Sequence, residues 1–513
     1  MNWRIFDIEH SVIPLFYSIP ATKLLEIIES AMELLHFRPE ILMRIHEDQI
    51  RLAKEKKKLR LEDKRYYQSK HMDLPGIITE ENQIDARTLE LETGRTRMIP
   101  QVVFLFMMVR GYFGSVTSKE SVQRMRDSFT LHSVLQGWNI SQPGATTILE
   151  NLNCISNETR ECILDAQMEF VLKEQLDDFS QILIDSTHVK GNTEWPTDSK
   201  ILLALLSRAY HYSQKLSAFG IQNFKPFWMP NWLRKLDRLQ LAICLTAGKA
   251  KSKGKIKELY RRFLQTAQKA HEYLISEIER LRDQAELTDV CPSRREKLDR
   301  IWNLIRNDVM DSARVLYYAE DRVFHGIVLK SSEKILSISD RSAAFIKKGS
   351  RNPVIGYKPQ IARSGNGFIP AIQVPEGNVA DSVSLIPMAE QVIGRTTVVP
   401  HTISTDDGYA SKDNRRELVS WGIKIVSING AKGKRLTPEN EWNSEEYQQA
   451  RADRSAVESI MFILKYVFDF GYVRRRGVEE VKAELLEKVM VYNLMRIITI
   501  RKMVIPEHRK KAS

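Results

Sequence analysis

The chain changes character at the stretch Gln181-Ile182-Leu183-Ile184-Asp185-Ser186-Thr187. A short apolar run that ends at a carboxylate is typical of a buried central strand with an acid at its C-terminal end. Short helical patterns come before this stretch, and a long helical region, residues 198–313, comes after it. The strand therefore predicts the start of a sheet that the helical region interrupts.

Strand signals return beyond residue 350. The runs 354–358 and 368–374 flank Ser364-Gly365-Asn366-Gly367, a turn composition that predicts a β-hairpin. After them, the pattern predicts a helix over 382–393, a strand at 397–399, a helix over 412–420, a strand over 423–428 and a long helix from about residue 453. This order predicts a mixed α/β sheet with one antiparallel hairpin.

The predicted fold class is α/β, a mixed sheet flanked by helices, with an all-helical N-terminal region and a large helical insertion between the first strand and the hairpin. The predicted domains are a helical N-terminal region (1–95), a second helical domain (96–175), the sheet domain (176–200 and 314–500), the insertion (201–313) and a basic tail (501–513). The domain 96–175 has the short helices of a DNA-binding helix-turn-helix, but an ordinary packing domain has them too.

Composition points to a nucleic-acid partner. The 513 residues carry 77 Lys and Arg against 65 Asp and Glu, a net charge of +12, and a surplus this large favours a polyanion. With 43% apolar and 28% charged residues, neither disorder nor a fibrous repeat fits. A chain of this length has room for roughly three domains.

Other classes of protein are disfavoured. The four cysteines form no C-x-x-C pair, which argues against a disulfide framework or a cysteine zinc site and favours a reducing cytoplasm. The N-terminus lacks a signal-peptide pattern, and the longest apolar run, 102–109, is far below the roughly 20 residues that a membrane span needs. We therefore expect a cytoplasmic protein with no membrane partner.

Part of the basic surplus is clustered. Residues 51–70 are rich in Lys and Arg, and residues 249–262 include Lys253 and Lys255 close to the aromatic segment 224–228. Basic side chains between aromatic ones suit a groove that follows a nucleic-acid backbone. Solvated helix faces beside an ordinary aromatic cluster remain the alternative for both segments.

Three acids stand at positions suited to chemistry. Asp185 ends the first strand, Asp406 follows a later one, and Glu458 lies on the long helix. The C-terminal ends of strands in an α/β sheet collect ligands, so residues distant in sequence can converge there. Oxygen ligands suit Mg²⁺ or Mn²⁺, and two such ions can activate a hydroxyl and stabilise the leaving oxygen of a phosphodiester. Caps and turns are the other common use of such acids.

The long helix adds two cations to this set. With Arg454 at 0°, Glu458 falls at about 40° and Lys465 at about 20° on a helical wheel, so the three share one stripe. A plain Arg-Glu pair on an exposed helix gives the same pattern. An acid that can bind metal between cations that can hold phosphates is also what phosphoryl transfer on DNA needs.

Together these motifs carry a resemblance to a known family. Ile184-Asp185-Ser186-Thr187, Asp406-x-Gly408-Tyr409 and Arg454-x3-Glu458-x6-Lys465 resemble, in order and spacing, the DDE transposases of bacterial insertion sequences, in the branch with a Tyr-Arg-Glu-Lys signature. The resemblance covers roughly residues 97–500. It implies a ribonuclease-H-like catalytic domain whose metal-binding catalytic triad is Asp185, Asp406 and Glu458, with two Mg²⁺ or Mn²⁺ ions.

The resemblance also implies function and partners. It implies an endonuclease and polynucleotidyl transferase that cleaves the terminal inverted repeats of its element and joins the 3′ hydroxyls to target DNA. Two ends must meet, so we expect a homodimer on double-stranded DNA, in the cytoplasm of a bacterium and associated with the nucleoid. Arg454 and Lys465 would contact DNA phosphates. Farther along, the predicted DNA contacts are Arg474, Arg475 and Arg476, placed near the end of the long helix.

The sequence departs from the family pattern at one signature position. The family's tyrosine falls three residues before the arginine, where this chain has Arg451, while Tyr447 is out of register. Within the doublet Asp406-Asp407, the motif Asp-x-Gly-Tyr selects Asp406. Two alternatives stay open at this point: a nuclease of the same fold that does not join strands, and a catalytically inactive relative that only binds DNA.

Overall fold

In the computed structural model, the described residues are 22–70, 98–114, 116–221, 228–249, 252–347 and 352–511, with side chains described as far as residue 503. They form two compact units. Unit 1 takes its residues from Met1–Leu52, Gly94–Thr193 and Ser342–Ser513, and unit 2 from Ala53–Thr93 and Glu194–Arg341. Each unit is described by itself.

Unit 1 is built around a five-stranded mixed sheet. Its strands are β1 (Gln181–Ser186), β5 (Gln360–Ser364), β6 (Ala371–Gln373), β7 (Thr402–Asp406) and β8 (Ile425–Asn429), in the order β6-β5-β1-β7-β8. The pairs β6-β5 and β5-β1 are antiparallel, and β1-β7 and β7-β8 are parallel. The predicted mixed α/β sheet with one antiparallel hairpin is confirmed, and the architecture is consistent with a ribonuclease-H-like transposase.

The hairpin uses a different first strand from the predicted one. The turn 364–367 is correct: Gly367 has a φ of +90°, and its N–H donates to the Ser364 carbonyl at 3.0 Å. The strand that enters the turn is β5, however, and the predicted run 354–358 contains β4 (Val354–Tyr357). With β2 (Val189–Lys190) and β3 (Ala344–Ile346), β4 forms a separate three-stranded sheet in the order β2-β4-β3.

Close backbone contact explains why β4 joins the smaller sheet. A Cβ on Gly356 would lie 2.0 Å from the Val189 carbonyl oxygen, so only glycine allows β2 and β4 to approach this closely. The predicted strand at 397–399 was also wrong, because Thr397, with a φ of +57°, caps a helix that ends at Thr396, and the strand begins at Thr402.

Helices make up most of the rest of unit 1. They are α1 (Lys23–Phe37), α2 (Glu40–Lys70, which ends in unit 2), α3 (Pro100–Phe113), α4 (Ser118–Asp127), α5 (Phe129–Gly137), α6 (Ala145–Cys154), α7 (Asn157–Lys173), α12 (Asp381–Thr396), α13 (Lys412–Ser420), α14 (Ala431–Leu436), α15 (Glu439–Trp442), α16 (Glu445–Asp453), α17 (Ser455–Val467) and α18 (Val478–Lys511).

The core of unit 1 includes a buried helix pair. Every residue of α3 from Pro100 to Val109 is buried, so the predicted apolar run 102–109 is a core helix. Its neighbour is α18, and a Cβ on Gly111 would lie 2.5 Å from the Glu487 carbonyl oxygen. This close approach holds α3 against the helix that carries the buried charges described below.

Unit 2 is helical and contains residues 201–313, the range predicted as the insertion, together with residues that the prediction placed in other domains. Its helices are α8 (Asp198–Ser213), α9 (Met229–Thr246), α10 (Lys253–Leu287) and α11 (Pro292–Glu320), which pack around one apolar core. The C-terminal half of α2 joins them, since the Ser293 amide donates to the Asp63 carboxylate at 2.9 Å. Among the residues described in the two units, no helix has the length and apolar character to cross a membrane.

Candidate active site

The sheet of unit 1 brings two of the predicted acids to the same level. β1 and β7 are parallel neighbours, with Gln181 opposite Thr402 and Leu183 opposite Ser404. Two residues farther along, the same register sets Asp185 level with Asp406, the last residue of β7. Adjacent strands lie about 4.8 Å apart and paired residues share a face, so both carboxylates leave the same face at one edge.

Local sequence explains the placement of the first acid. Asp185 lies within the strand rather than beyond it, and it is buried, at 7% exposure. Its Oδ1 accepts a hydrogen bond from the Ser186 amide at 2.7 Å. The apolar residues before it sit in the core, which fixes the strand and presents the carboxylate at its end.

The third acid reaches this edge through an arginine. Arg454, between α16 and α17, has Nη1 3.7 Å from Asp185 Oδ2 and Nη2 3.2 Å from Glu458 Oε1. The predicted Arg-Glu pair on one helical stripe is confirmed, and the same guanidinium links it to β1. Gln181 Nε2 donates to Asp453 Oδ2 at 2.7 Å and ties the end of α16 to the strand.

Asp406 and Asp407 are neighbours in sequence, but their carboxylates have different partners. Asp407 Oδ1 accepts hydrogen bonds from the amides of Lys432 and Gly433 at 2.9 and 3.0 Å, so it caps α14. A Cβ on Gly430 would lie 2.5 Å from Asp407 Cγ, which shows how closely the cap fits. Asp406 Oδ1 accepts from the Gly408 amide at 2.9 Å and stays at the edge shared with Asp185.

A fourth acid lies beside these residues. A Cβ on Gly408 would be 3.0 Å from Asp406 Oδ1 and 3.1 Å from Asp381 Oδ2, so both carboxylates crowd this glycine. Asp381, the first residue of α12, accepts from Gln360 Nε2 at 2.8 Å and pairs with Lys358 Nζ at 2.9 Å. Burial acts to raise the pKa of Asp381, but these two partners outweigh it and lower the pKa.

Tyr409 is buried beside the carboxylates of this edge, and their negative charge affects its pKa. Its ring is fully buried and its hydroxyl donates to Gln360 Oε1. Burial, followed by the negative charges of Asp381, Asp185 and Asp406, raises the pKa of Tyr409 well above its ordinary value. The tyrosine of the Asp-x-Gly-Tyr motif therefore stays protonated as a hydrogen-bond donor among carboxylates.

Asp381 is not among the predicted site residues, because it follows a turn and no strand comes directly before it. The signal that could have found it is its position at the first turn of a helix that follows the hairpin, where a carboxylate is favoured.

The arginine that replaces the family's tyrosine has a structural setting of its own. The Arg451 guanidinium lies over the Trp442 ring, 4.1 Å from its centroid. Tyr447 is fully buried, and its hydroxyl accepts a hydrogen bond from the Ile428 amide at 3.0 Å. Tyr447 is therefore part of the core and does not supply a tyrosine to the acidic edge.

The predicted DNA-contacting residues lie in different settings. Lys465 is half-buried on α17, beside Gly471. The arginines Arg474, Arg475 and Arg476 do not lie on the long helix as predicted, because α17 ends at Val467 and they form the loop before α18. Arg474 and Arg476 are exposed, whereas Arg475 Nη2 donates to the buried Glu487 at 3.0 Å.

Two further predicted contacts belong to unit 2. Lys253 and Lys255 are exposed in the first turn of α10. The interleaved aromatic segment 224–227 and Lys251 fall outside the described residues.

The carboxylates fit a divalent cation in part. Asp185 and Asp406 offer the oxygen donors that Mg²⁺ and Mn²⁺ prefer, on adjacent strands at one level. Glu458 is 67% exposed and bonded to Arg454, so it does not complete the set in this arrangement. Across the described ranges, no group of three or more His, Cys, Asp or Glu side chains is arranged to hold a metal ion.

A comparison with protein families gives this edge its context. Residues 340–494 match the model of the transposase DDE domain. The matched residues include Asp406 and Glu458 but not Asp185, which comes before the helical insertion. The pairing of β1 with β7 brings Asp185 level with Asp406. No curated protein and no solved structure matches the chain. The chain therefore contains a transposase DDE domain over residues 340–494.

Proposed function

We propose that this protein is a transposase that cleaves DNA at the terminal inverted repeats of an insertion sequence and joins the released 3′ hydroxyls to target DNA. The observation that carries the proposal is the convergence of Asp185 and Asp406 at adjacent strand ends, with Glu458 linked to Asp185 by one arginine. The family match supports polynucleotidyl transfer as the class of reaction.

In this proposal, Asp185 and Asp406 hold a divalent cation, Mg²⁺ or Mn²⁺, and Glu458 completes a site for two ions. A bound divalent cation would acidify the attacking hydroxyl and stabilise negative charge on the phosphate. Glu458 would join Asp185 and Asp406 if Arg454 turned from the carboxylates toward a DNA phosphate. This exchange is reasonable because Arg454 makes no contact that is deeply buried on both sides: its own side chain is 21% exposed and that of Glu458 is 67% exposed.

The chain's own residues would do the rest of the positioning. Tyr409 and Gln360 hold the acidic edge in shape, because Gln360 bonds both the tyrosine hydroxyl and Asp381. Lys358 offsets the charge of Asp381, so the edge tolerates several carboxylates at neutral pH.

The proposed DNA contacts include the predicted cations Arg454, Lys465, Arg474, Arg475, Arg476, Lys253 and Lys255. In the helical domain 96–175, α3 is buried, so we propose α4 as the element that faces DNA, since Arg124 and Arg126 on it are exposed. Phosphate contacts of this kind position a duplex without reading its sequence. The protein would act as a homodimer, because one protomer per end is the simplest way to join two ends.

Cleavage with variants tests the proposal. Full-length protein is incubated with Mg²⁺ or Mn²⁺ and a duplex carrying the inverted repeats that flank its coding sequence, and the cut strands are mapped. Asp185→Ala, Asp406→Ala and Glu458→Ala should each lower cleavage by at least about 10²-fold, a loss typical of removing a group that stabilises transition-state charge. DNA binding should persist. Undiminished cutting by any of the three variants would contradict the assignment.

Asp407→Ala is the matched control. Asp406 and Asp407 are neighbours, and each accepts a hydrogen bond from a backbone amide. Losing a hydrogen bond to a backbone amide should therefore affect the stability of both Asp406→Ala and Asp407→Ala. Only Asp406→Ala should lose cleavage activity.

One observation favours a second candidate, a catalytically inactive relative that only binds DNA. Within the described residues the acids are not gathered into a metal-binding group of three, and Glu458 is bonded to Arg454. An inactive relative would bind the repeats and cut none of them with either metal ion. A nuclease without strand transfer would cut, but would not join a pre-cleaved end to a target plasmid.

A further inference from the structure

A pocket of about 230 Å³ lies within unit 1, apart from the acidic edge. It is bounded by the C-terminal end of α3, the first turn of α4, the loop before α18 and α18 itself. Its charged lining residues are Arg110, Arg474, Arg475, Lys488, Glu484 and Glu487. Four cations and two carboxylates line it, so the pocket has a surplus of positive charge.

The carboxylates are already committed to particular cations. Glu487 is held by Arg110 Nη2 at 2.6 Å and by Arg475 Nη2 at 3.0 Å, and Arg160 Nε reaches it from outside the pocket at 2.9 Å. Glu484 Oε1 accepts from Lys488 Nζ at 3.1 Å. Even with the exposed Glu480, 3.8 Å from Arg475, two carboxylates face three guanidinium groups and do not balance their charge.

The pKa of Arg110 agrees with this surplus. Burial, followed by the positive charge of Arg475, lowers the pKa of Arg110 to about 10 despite its bonds to Glu487. An additional anion in the pocket would offset both effects.

The first turn of α4 points to what the anion is. Its first helical hydrogen bond runs from the Ser121 amide to the Thr117 carbonyl, at 2.8 Å, and the Thr117 hydroxyl accepts from the Glu120 amide. The earlier amides, of Ser118 and Lys119, have no carbonyl partner within the helix. Such N-terminal amides, with the positive end of the helix dipole, bind phosphate groups.

Ser121 gives independent support. Its side chain is 2% exposed and lines the pocket, and its Oγ has no hydrogen-bond partner among the described residues. A buried hydroxyl without a partner costs about 1–3 kcal/mol. A ligand with acceptor oxygens in the pocket would supply the missing partner.

We propose that this pocket binds a phosphate group, held by Ser121, the α4 amides and the arginines Arg110, Arg474 and Arg475. The expected source is a backbone phosphate of bound DNA, an identification that rests on the proposed function. Free inorganic phosphate is the other source of the same chemistry. The pocket is separate from the acidic edge, and cations outnumber carboxylates among its charged lining residues.

Thermal unfolding in inorganic phosphate tests the site without any cleavage. Full-length protein is melted in phosphate and in chloride at equal ionic strength. The wild type should melt several degrees higher in phosphate. Ser121→Ala should bind phosphate about tenfold more weakly, as expected for one lost hydrogen bond to a charged group. Ser121→Asp should melt higher than the wild type in chloride and should not respond to phosphate, because its own carboxylate fills the pocket.

Ser30→Ala is the matched control for deleting a hydroxyl. Ser30 on α1 is also buried, at 4% exposure, and its Oγ also lacks a partner among the described residues, but it does not line the pocket. It should respond to phosphate as the wild type does. Equal responses in Ser121→Ala, Ser121→Asp and Ser30→Ala would overturn the site.

DNA binding separates the two sources. Affinity for a duplex is measured in the Asp185→Ala background, without cleavage. If the ligand is a backbone phosphate, Ser121→Asp should weaken binding about tenfold, and Arg474→Ala, at the exposed rim, about threefold. If DNA affinity is unchanged while the phosphate response is lost, free phosphate is the ligand. A wild type insensitive to phosphate, together with unchanged DNA affinity in Ser121→Asp, would contradict the proposal while leaving the cleavage proposal standing.

Discussion

Two charged clusters of unit 1 have opposite compositions. At the acidic edge, one arginine, Arg454, bridges two carboxylates, and Asp406 lies level with one of them. In the cluster around Glu487, one carboxylate faces Arg110, Arg160 and Arg475. The first cluster has excess negative charge and the second excess positive charge.

The two clusters also differ in burial. Glu458 is 67% exposed and can change partners. Glu487 is 2% exposed, and moving it away would leave its arginines without their shared carboxylate. A partly exposed acidic cluster suits an exchangeable metal ion, and a buried basic cluster suits a structural role with one opening for an anion. The predictions below alter one cluster at a time.

The largest effect on stability should come from Glu487→Gln. The substitution leaves three buried or half-buried arginines without their shared carboxylate, which should lower the free energy of unfolding by about 3–5 kcal/mol. Urea unfolding followed by circular dichroism measures it. Glu480→Gln is the control, since Glu480 is 65% exposed and 3.8 Å from Arg475, and it should cost less than about 1 kcal/mol. Equal costs would show that the buried cluster is not structural.

Acid should act on the same carboxylate. Burial raises the pKa of Glu487, but Arg110, Arg475 and Arg160 outweigh it and lower the pKa from 4.5 to about 2. A lowered folded-state pKa stabilises the fold above pH 4.5, and this contribution, about 3 kcal/mol, is lost as the pH falls from 4.5 through 2. Unfolding free energies between pH 6 and 2 should therefore fall more steeply in the wild type than in Glu487→Gln. Parallel curves would contradict the assignment.

At the acidic edge, Arg454→Ala should affect activity more than stability. The guanidinium lies 3.7 Å from the buried Asp185, a long contact, and its other partner Glu458 is 67% exposed, so loss of the bridge should cost about 1 kcal/mol. Cleavage should fall about 10- to 100-fold, because the proposed phosphate contact is lost and the carboxylates repel DNA. Arg416→Ala, which breaks an exposed pair with Asp413, is the control and should cleave normally. Wild-type cleavage rates in Arg454→Ala would exclude this role.

The smallest effect should come from Asp407→Ala. Removing the α14 cap should cost about 1 kcal/mol. Differential scanning calorimetry would detect the lower melting temperature, and a variant as stable as the wild type would show that the cap contributes little.

Some of this architecture could be predicted from local pattern. The apolar run before Asp185, the turn at 364–367 and the i, i+4 spacing of Arg454 and Glu458 are set by short-range physics, and the structure confirms all three. The choice between β4 and β5 could not be predicted, because two adjacent short strands differ only in their distant partners. The decisive contact, between Gly356 and Val189, spans the helical insertion.

Arg475 shows the same limit within the predicted sites. In the sequence it is the middle of three consecutive arginines, and the sequence predicts DNA contact equally for all three. Its commitment to Glu487 depends on Arg110 and Arg160, which reach that carboxylate from α3 and α7. Only folding brings those three cations to one carboxylate, so charge pattern along the chain could not separate Arg475 from its neighbours.

The proposed metal site is tested most directly by Mn²⁺ binding to the protein without DNA, followed by the loss of the free Mn²⁺ signal in electron paramagnetic resonance. We expect the wild type and Asp407→Ala to bind Mn²⁺ alike, and Asp185→Ala and Asp406→Ala each to bind it at least about tenfold more weakly. Unchanged Mn²⁺ affinity in Asp406→Ala, or an equal loss in Asp407→Ala, would contradict the claim that the two strand-end carboxylates form one metal site.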